Sequence, residues 1–287
     1  MANDKTIENW LKDNAITEVE CLVPDLTGNA RGKFIPAKKF LKEDSRLPEG
    51  ILAQAVTGEY SDDYWDLIDT VDGDMLLEPD PSTARLVPWA NEVTGQIIHD
   101  CFTKDGRPHP FSSRNILKRV LALYEQEGLT PVIAPEMEFY LVEQTPNPGL
   151  PLKPPIGRSG RHETARQSYS IDAANEFEPF IEQMYSYCEA MELDVDTLIH
   201  ESGAAQLEVN FIHGDPLDLA DQVFTFKRTV REAALKNGIY ATFMAKPMTS
   251  EVGSATHIHQ SLLDASTGDN VFATKDGEYS ETFFHYM

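Results

Sequence analysis

The spacing of apolar residues predicts an α+β chain in two parts: a small amino-terminal domain rich in strands, then a larger domain of sheet and helices. Three observations carry this. Segments around residues 132–142, 206–211 and 257–262 alternate apolar and polar side chains with the period of two that marks a half-buried strand. Residues 172–190 and 217–237 instead repeat their apolar positions at helical spacing. Between the two parts, Thr103-Lys104-Asp105-Gly106-Arg107-Pro108-His109-Pro110 is polar and interrupted by Gly and Pro, as a domain boundary is.

Taken in order, residues 6–14 predict a short helix, and residues 18–26 a strand that ends in a turn at Thr27-Gly28-Asn29. A second strand over 31–35 completes a hairpin. An irregular acidic stretch covers 60–69, and further strands are expected near 75–77 and 96–102. Ser112 or Ser113 can cap a helix that runs to about Glu127, with Ile116, Val120 and Leu123 as its apolar face and Gly128 as its stop. From 144 to 166 a Pro- and Gly-rich run breaks regular structure, and Arg158, Arg161 and Arg166 decorate a loop there. Gly238 ends the helix over 217–237, and Ser280 is a candidate N-cap near the carboxyl end.

The polar faces of the three alternating segments carry the chemistry. In Val132-Ile133-Ala134-Pro135-Glu136-Met137-Glu138-Phe139-Tyr140-Leu141-Val142, a strand puts Glu136 and Glu138 on one face and Met137, Phe139 and Leu141 on the other. Side chains two residues apart lie about 6.5 Å from each other, and two such charges repel by roughly 2.5 kcal/mol at an effective dielectric near 20. No Lys or Arg within the segment offsets them. Either water screens a solvated face, or a divalent cation sits between the carboxylates. In the second segment Leu207, Val209 and Phe211 point inward and Glu208 shares the other face with Asn210; in the third, His257, His259 and Ser261 align. Glu201 precedes the second strand. Carboxylates with one imidazole suit Mg²⁺ or Mn²⁺, and the lack of a nearby cysteine argues against zinc.

Composition narrows the function classes. The chain has 287 residues, 41% of them hydrophobic, which suits about two domains with a real core. Its formal net charge of −23 is spread along the sequence, which argues against nucleic-acid binding and is permissive towards cationic small molecules. No apolar run reaches membrane length and no export signal is visible, so a cytoplasmic protein is expected. Cys21, Cys101 and Cys188 are odd in number and scattered, which predicts packing residues rather than disulfides.

Taken together, ordered motifs along nearly the whole chain resemble the glutamine synthetases. They are Arg31-Gly32-Lys33-Phe34-Ile35-Pro36, Asp74-Met75-Leu76-Leu77-Glu78-Pro79-Asp80, Pro88-Trp89, Pro135-Glu136-Met137-Glu138-Phe139, Glu201 with Gln206-Leu207-Glu208, Lys246-Pro247, and Gly253-Ser254-Ala255-Thr256-His257-Ile258-His259-Gln260-Ser261-Leu262. The resemblance implies a β-grasp amino-terminal domain over 15–103 and a catalytic domain over 108–287, with a curved antiparallel sheet flanked by helices. It implies two divalent ions, Mg²⁺ or Mn²⁺: one held by Glu138, Glu201 and Glu208, the other by Glu136 and His257. His259 and Ser261 match nucleotide contacts, and Gly253, with Glu138, matches the glutamate site.

The implied reaction is ATP-dependent ligation of the glutamate γ-carboxylate to an amine through γ-glutamyl phosphate, in a homo-oligomeric ring with sites at subunit interfaces. The family's catalytic region continues beyond residue 287, so its remaining catalytic residues, the clamping arginines and a last Glu ligand are expected there. By that comparison the 287-residue form is expected not to turn over alone. The Asp-Gly-Ser-Ser motif with which glutamine synthetases bind ammonium is missing; its place falls near Tyr60, among Glu59, Asp62, Asp63 and Asp66. Val252 and Ala255 replace the common Asn and Gly. The missing motif favours a larger amine, notably putrescine or another polyamine, whereas Val252 and Ala255 bear on the glutamate contact around Gly253. The alternatives are ammonium, as in a true glutamine synthetase, or a non-catalytic relative acting in assembly or sensing.

Overall fold

The computed structural model describes residues 2–42, 44–60, 63–67, 73–147, 149–164 and 166–287, with side chains for all of these except 2–6, 65 and 67. Asp62 and positions 68–69 of the acidic stretch lie outside the described residues. Two compact units divide between Glu127 and Gly128.

The first unit opens with α1 (Ala2–Asp13), whose Ile7 and Leu11 pack with Ile16, Val19, Cys21, Phe40 and Ile97. The expected hairpin is β1 (Glu18–Pro24) and β2 (Ala30–Pro36). Its turn is tied by Asp25, whose Oδ1 accepts from the Thr27 and Asn29 amides at 2.9 Å while Oδ2 accepts from Arg31 Nε at 2.8 Å. A Cβ on Gly32 would lie 2.0 Å from the Cys21 carbonyl oxygen, so the Arg-Gly-Lys motif needs its glycine for close strand approach.

Next come α2 (Ala37–Phe40), β3 (Ser45–Pro48), α3 (Tyr64–Leu67), β4 (Asp74–Pro79), β5 (Arg85–Leu86) and β6 (Thr94–Phe102). The six strands form one sheet in the order β2-β1-β6-β4-β3, with β5 also on β6, and the β1–β6 pair runs parallel, as a β-grasp requires. The strands β3 and β5, of four and two residues, were too short to show a period in the sequence.

Helix α4 (Ser113–Gln126) starts where the sequence placed it, with Ser112 Oγ accepting from the Asn115 amide. It remains with the first unit, beyond the polar break at 103–110, because Arg114 is buried and ion-paired to Asp80 at 2.6 Å and Asp100 at 2.5 Å. Burial opposes ionisation of Asp80, yet Ser82 and Arg114 outweigh it and hold the carboxyl below its usual range. The apolar face expected for this helix is corrected: Ile116, Val120 and Leu123 are exposed, and the face that packs is the one carrying Arg114 and Asn115. Hydrophobic spacing gave the period but not which neighbour a helix would find.

The second unit is built on β7 (Leu129–Glu143), 15 residues long. After it come α5 (Ile171–Asn175), α6 (Glu178–Ala190), β8 (Val195–His200), β9 (Gln206–Phe211), α7 (Pro216–Lys236), β10 (Ile239–Thr242), β11 (Thr256–Asp264) and α8 (Glu281–His285). The helix expected over 172–190 is two helices, because Pro179 favours a helix start and cannot donate its amide inside one. Ser280 caps α8, accepting from the Phe283 amide at 3.2 Å.

All pairings in this sheet are antiparallel: β9 and then β8 lie on one side of β7, and β10 and β11 share its other side at opposite ends. One face is apolar. Phe139 packs edge-on against Phe180 of α6 and Phe226 of α7, and Phe211 against Phe226, with ring centroids 5.2–6.3 Å apart. Each such buried side chain contributes about 1.5–3 kcal/mol, which fixes the strands and so aims the opposite face. Cys21, Cys101 and Cys188 are free and buried, and burial pushes each thiol up to about 12.

Arg114→Ala takes its cation from Asp80 and leaves Asp100 with Lys118 alone, and should cost the first unit about 3 kcal/mol in urea unfolding; a loss below about 1 kcal/mol would show that the bridge adds little.

Candidate metal centre

Strand register gathers the predicted side chains. In β7, Glu138 stands directly opposite Glu208 of β9, and Glu136 stands between Asn210 of β9 and His257 of β11. Like charges directly opposite each other destabilise a sheet. Here the pair is nearly buried, Glu138 at 8% and Glu208 at 6% exposure, so water screens it poorly.

Among the described residues, Glu136, Glu208 and His257 each offer a ligand atom within 4.8 Å of the others. His257 Nδ1 lies 3.1 Å from Glu136 Oε2 and 3.9 Å from Glu138 Oε1. The Glu208 carboxyl is raised above its ordinary value, first by burial and then by the charges of Glu136, Glu201 and Glu138. A donor set of carboxylates and one imidazole, short of positive charge, fits a hard divalent cation.

The resemblance assigns Glu138, Glu201 and Glu208 to one ion and Glu136 and His257 to another; the compact trio takes one member from the first set and two from the second. Glu201 lies past the end of β8, near enough to add to the charge on Glu208, but its Oε2 accepts from the Ser202 amide at 3.0 Å. His259 Nε2 lies 2.8 Å from Glu136 Oε1. Its ring and Ser261 also line a cleft of about 390 Å³ walled by Val132, Ile133, Leu263 and His213.

Gly253 sits on the segment that leads into β11. A Cβ there would lie 2.9 Å from the Ala245 carbonyl oxygen, so the segment presses close to its neighbour. Tyr140 donates from its hydroxyl to the Val252 carbonyl at 2.8 Å, and Gly203 leaves room for that hydroxyl, which a Cβ would meet at 1.9 Å. Burial, then Glu251 and Glu138, raise the Tyr140 pKa, so the phenol remains a donor.

Sequence reading missed a buried pair beneath Glu201. His200 Nε2 lies 2.9 Å from Glu163 Oε2, and its Nδ1 2.7 Å from the Glu201 carbonyl oxygen. Both ring nitrogens face acceptors; burial alone would lower the His200 pKa, but Glu163 outweighs it and the net shift is upward. Glu163 lies in a Pro- and Gly-rich run, where no periodicity marks a partner 37 residues away.

A sheet of antiparallel strands with this carboxylate-rich face suits a divalent cation, and comparison with known proteins identifies the family. The model for the glutamine synthetase catalytic domain matches residues 110–287. The chain belongs to the glutamine synthetase family. It is 33% identical over 273 residues to the γ-glutamylputrescine synthetase PuuA of Escherichia coli (strain K12), covering 91% of this chain and 56% of that one. It is 29% identical over 290 residues to the glutamine synthetase of Halobacterium salinarum, covering 99% and 60%. The solved structure of apo GmaS without ligand superposes with a TM-score of 0.80 at 26% identity, covering 98% of this chain and 62% of that one. A GmaS/ADP complex gives 0.79 at 27%, covering 97% and 60%. The chain thus spans little more than half the length of these curated relatives.

Glu208→Gln should raise metal-free stability at pH 7.5 by on the order of 1 kcal/mol, because it removes a repelled charge, and should abolish stabilisation by Mn²⁺. The folded Glu208 pKa is raised, so its penalty is present above that pKa and disappears as pH falls through it; the gain from the variant should therefore shrink on acidification. Equal or lower metal-free stability at pH 7.5 would contradict this.

Proposed function

We propose that the protein is an ATP-dependent ligase that joins the γ-carboxylate of glutamate to an amine, with putrescine or another polyamine as acceptor. The observation that carries it is the convergence of Glu136, Glu138, Glu208 and His257 on one sheet face, with the Glu208 carboxyl raised by burial and by its neighbours. The terminal phosphoryl group of ATP passes to glutamate to give an acyl phosphate; the amine nitrogen then attacks the acyl carbon and phosphate leaves. Bound Mg²⁺ or Mn²⁺, two per site, supplies positive charge that cancels the repulsion between the two anionic substrates.

In this proposal Glu138, Glu201 and Glu208 hold one ion and Glu136 and His257 the second, with Glu208 and Glu138 close enough to both to serve between them. His259 and Ser261 meet the nucleotide, whose flat base suits the apolar wall of Val132, Ile133 and Leu263. Gly253 and Glu138 meet glutamate, on a segment that Tyr140 holds in place.

The choice of amine is supported by the missing Asp-Gly-Ser-Ser motif and by exposed Glu59, Asp63 and Asp66 around Tyr60, which packs at a tilt against Tyr64 with centroids 4.4 Å apart. The name and identity of the E. coli relative point the same way. Ammonium is the alternative, favoured by the glutamine synthetases at comparable identity. A homo-oligomeric ring and a cytoplasmic setting are part of the same proposal; among the described residues no helix is long and apolar enough to cross a membrane.

ADP release by the whole protein from ATP and glutamate, measured side by side with putrescine, ammonium and an arylamine, separates these readings. Release with putrescine at least about tenfold above ammonium is expected. Release with ammonium alone would make it a glutamine synthetase, and none with any amine despite bound Mn²⁺ and ATP would leave a non-catalytic assembly or sensor protein.

A further inference from the structure

Gln206 is fully buried at the start of β9, beside the carboxylates but not one of them. Its carboxamide is completely used. Oε1 accepts from the Gly203 amide at 2.9 Å, while Nε2 faces three acceptors: Glu138 Oε2 at 3.0 Å, the Gly253 carbonyl at 3.0 Å and Ser254 Oγ at 3.2 Å. Glu138 Oε2 also accepts from the Ala255 amide at 3.0 Å. That oxygen is therefore committed to the protein, which leaves Oε1, 3.9 Å from His257 Nδ1, as the one turned towards the other candidate ligands.

We propose that Gln206 is a positioning residue that couples the cation site to the 253–255 segment. It fixes Glu138 as a ligand through a single oxygen and, with the same NH₂ group, docks the Gly253 wall against which glutamate is proposed to lie. A cation that draws on Glu138 Oε1 restrains the carboxylate, and through Gln206 and the Ala255 amide it restrains the wall. Occupancy of the metal centre and order in the substrate wall become one equilibrium, and linkage makes the effect reciprocal. This rests on the cation reading above, and the experiment separates the two.

Hydrogen exchange of the 287-residue chain, with and without Mn²⁺, reports the coupling at two amides that the network holds, Ala255 and Gly203. In the unaltered protein Mn²⁺ is expected to slow both. In Gln206→Met, of similar length but without donors or oxygen, the Mn²⁺ dissociation constant should rise about tenfold and the Mn²⁺ effect on both amides should vanish. Ser254→Ala, which removes one acceptor of the three, should keep Mn²⁺ affinity within about twofold. A role in fold stability alone would instead speed exchange across α7 and β8 equally, with or without Mn²⁺, and would overturn the proposal. So would Mn²⁺ binding by the unaltered chain that leaves Ala255 and Gly203 unchanged, a test that does not depend on any variant folding. Unaltered affinity in Gln206→Met would overturn it as well. No Mn²⁺ binding by the unaltered chain would remove the cation reading itself, and this coupling with it.

Discussion

Electrostatic repulsion on one face of a sheet is the constraint around which the second unit is arranged. Glu138 and Glu208 face each other across a strand pair, with Glu136 two residues along, and the opposite face is so well packed by Phe139, Phe180, Phe211 and Phe226 that the strands cannot rotate the charges apart. Apolar packing therefore stabilises the sheet while holding carboxylates where they oppose it. A protein gains nothing in stability from such a face; the repulsion is offset when a cation occupies it.

The rest of the site follows from holding that face steady. His257 enters because β11 pairs with the amino-terminal half of β7, bringing an imidazole next to Glu136. Gln206 enters because the 203–206 turn begins β9 beside Tyr140, where its amide reaches both Glu138 and the Gly253 segment. Tyr140 crosses to Val252 only because Gly203 has no side chain. Local sequence thus sets distances of a few ångströms among residues more than a hundred positions apart.

Period-two alternation made the two faces of β7, β9 and β11 legible from the sequence, because a strand leaves its side chains no other choice. It could not give strand order. The approach of Glu208 to Glu136 and His257 depends on β7 lying between β9 and β11, a tertiary fact with no local signature. Gln206 read as the start of a strand; its role needs four partners spread from residue 138 to residue 254. Glu163 and His200 were invisible for the same reason. In the first unit, the spacing of Ile116, Val120 and Leu123 announced a helix correctly but named the wrong packed face, since the buried ion pairs of Arg114 decide how that helix lies.

Anomalous scattering from Mn²⁺-soaked crystals tests the convergence most directly. A peak within coordination distance of Glu136, Glu208 and His257, with Glu138 turned towards it through Oε1, is the predicted result. A map with no peak on this face, at Mn²⁺ concentrations that saturate other divalent-cation enzymes, would contradict it.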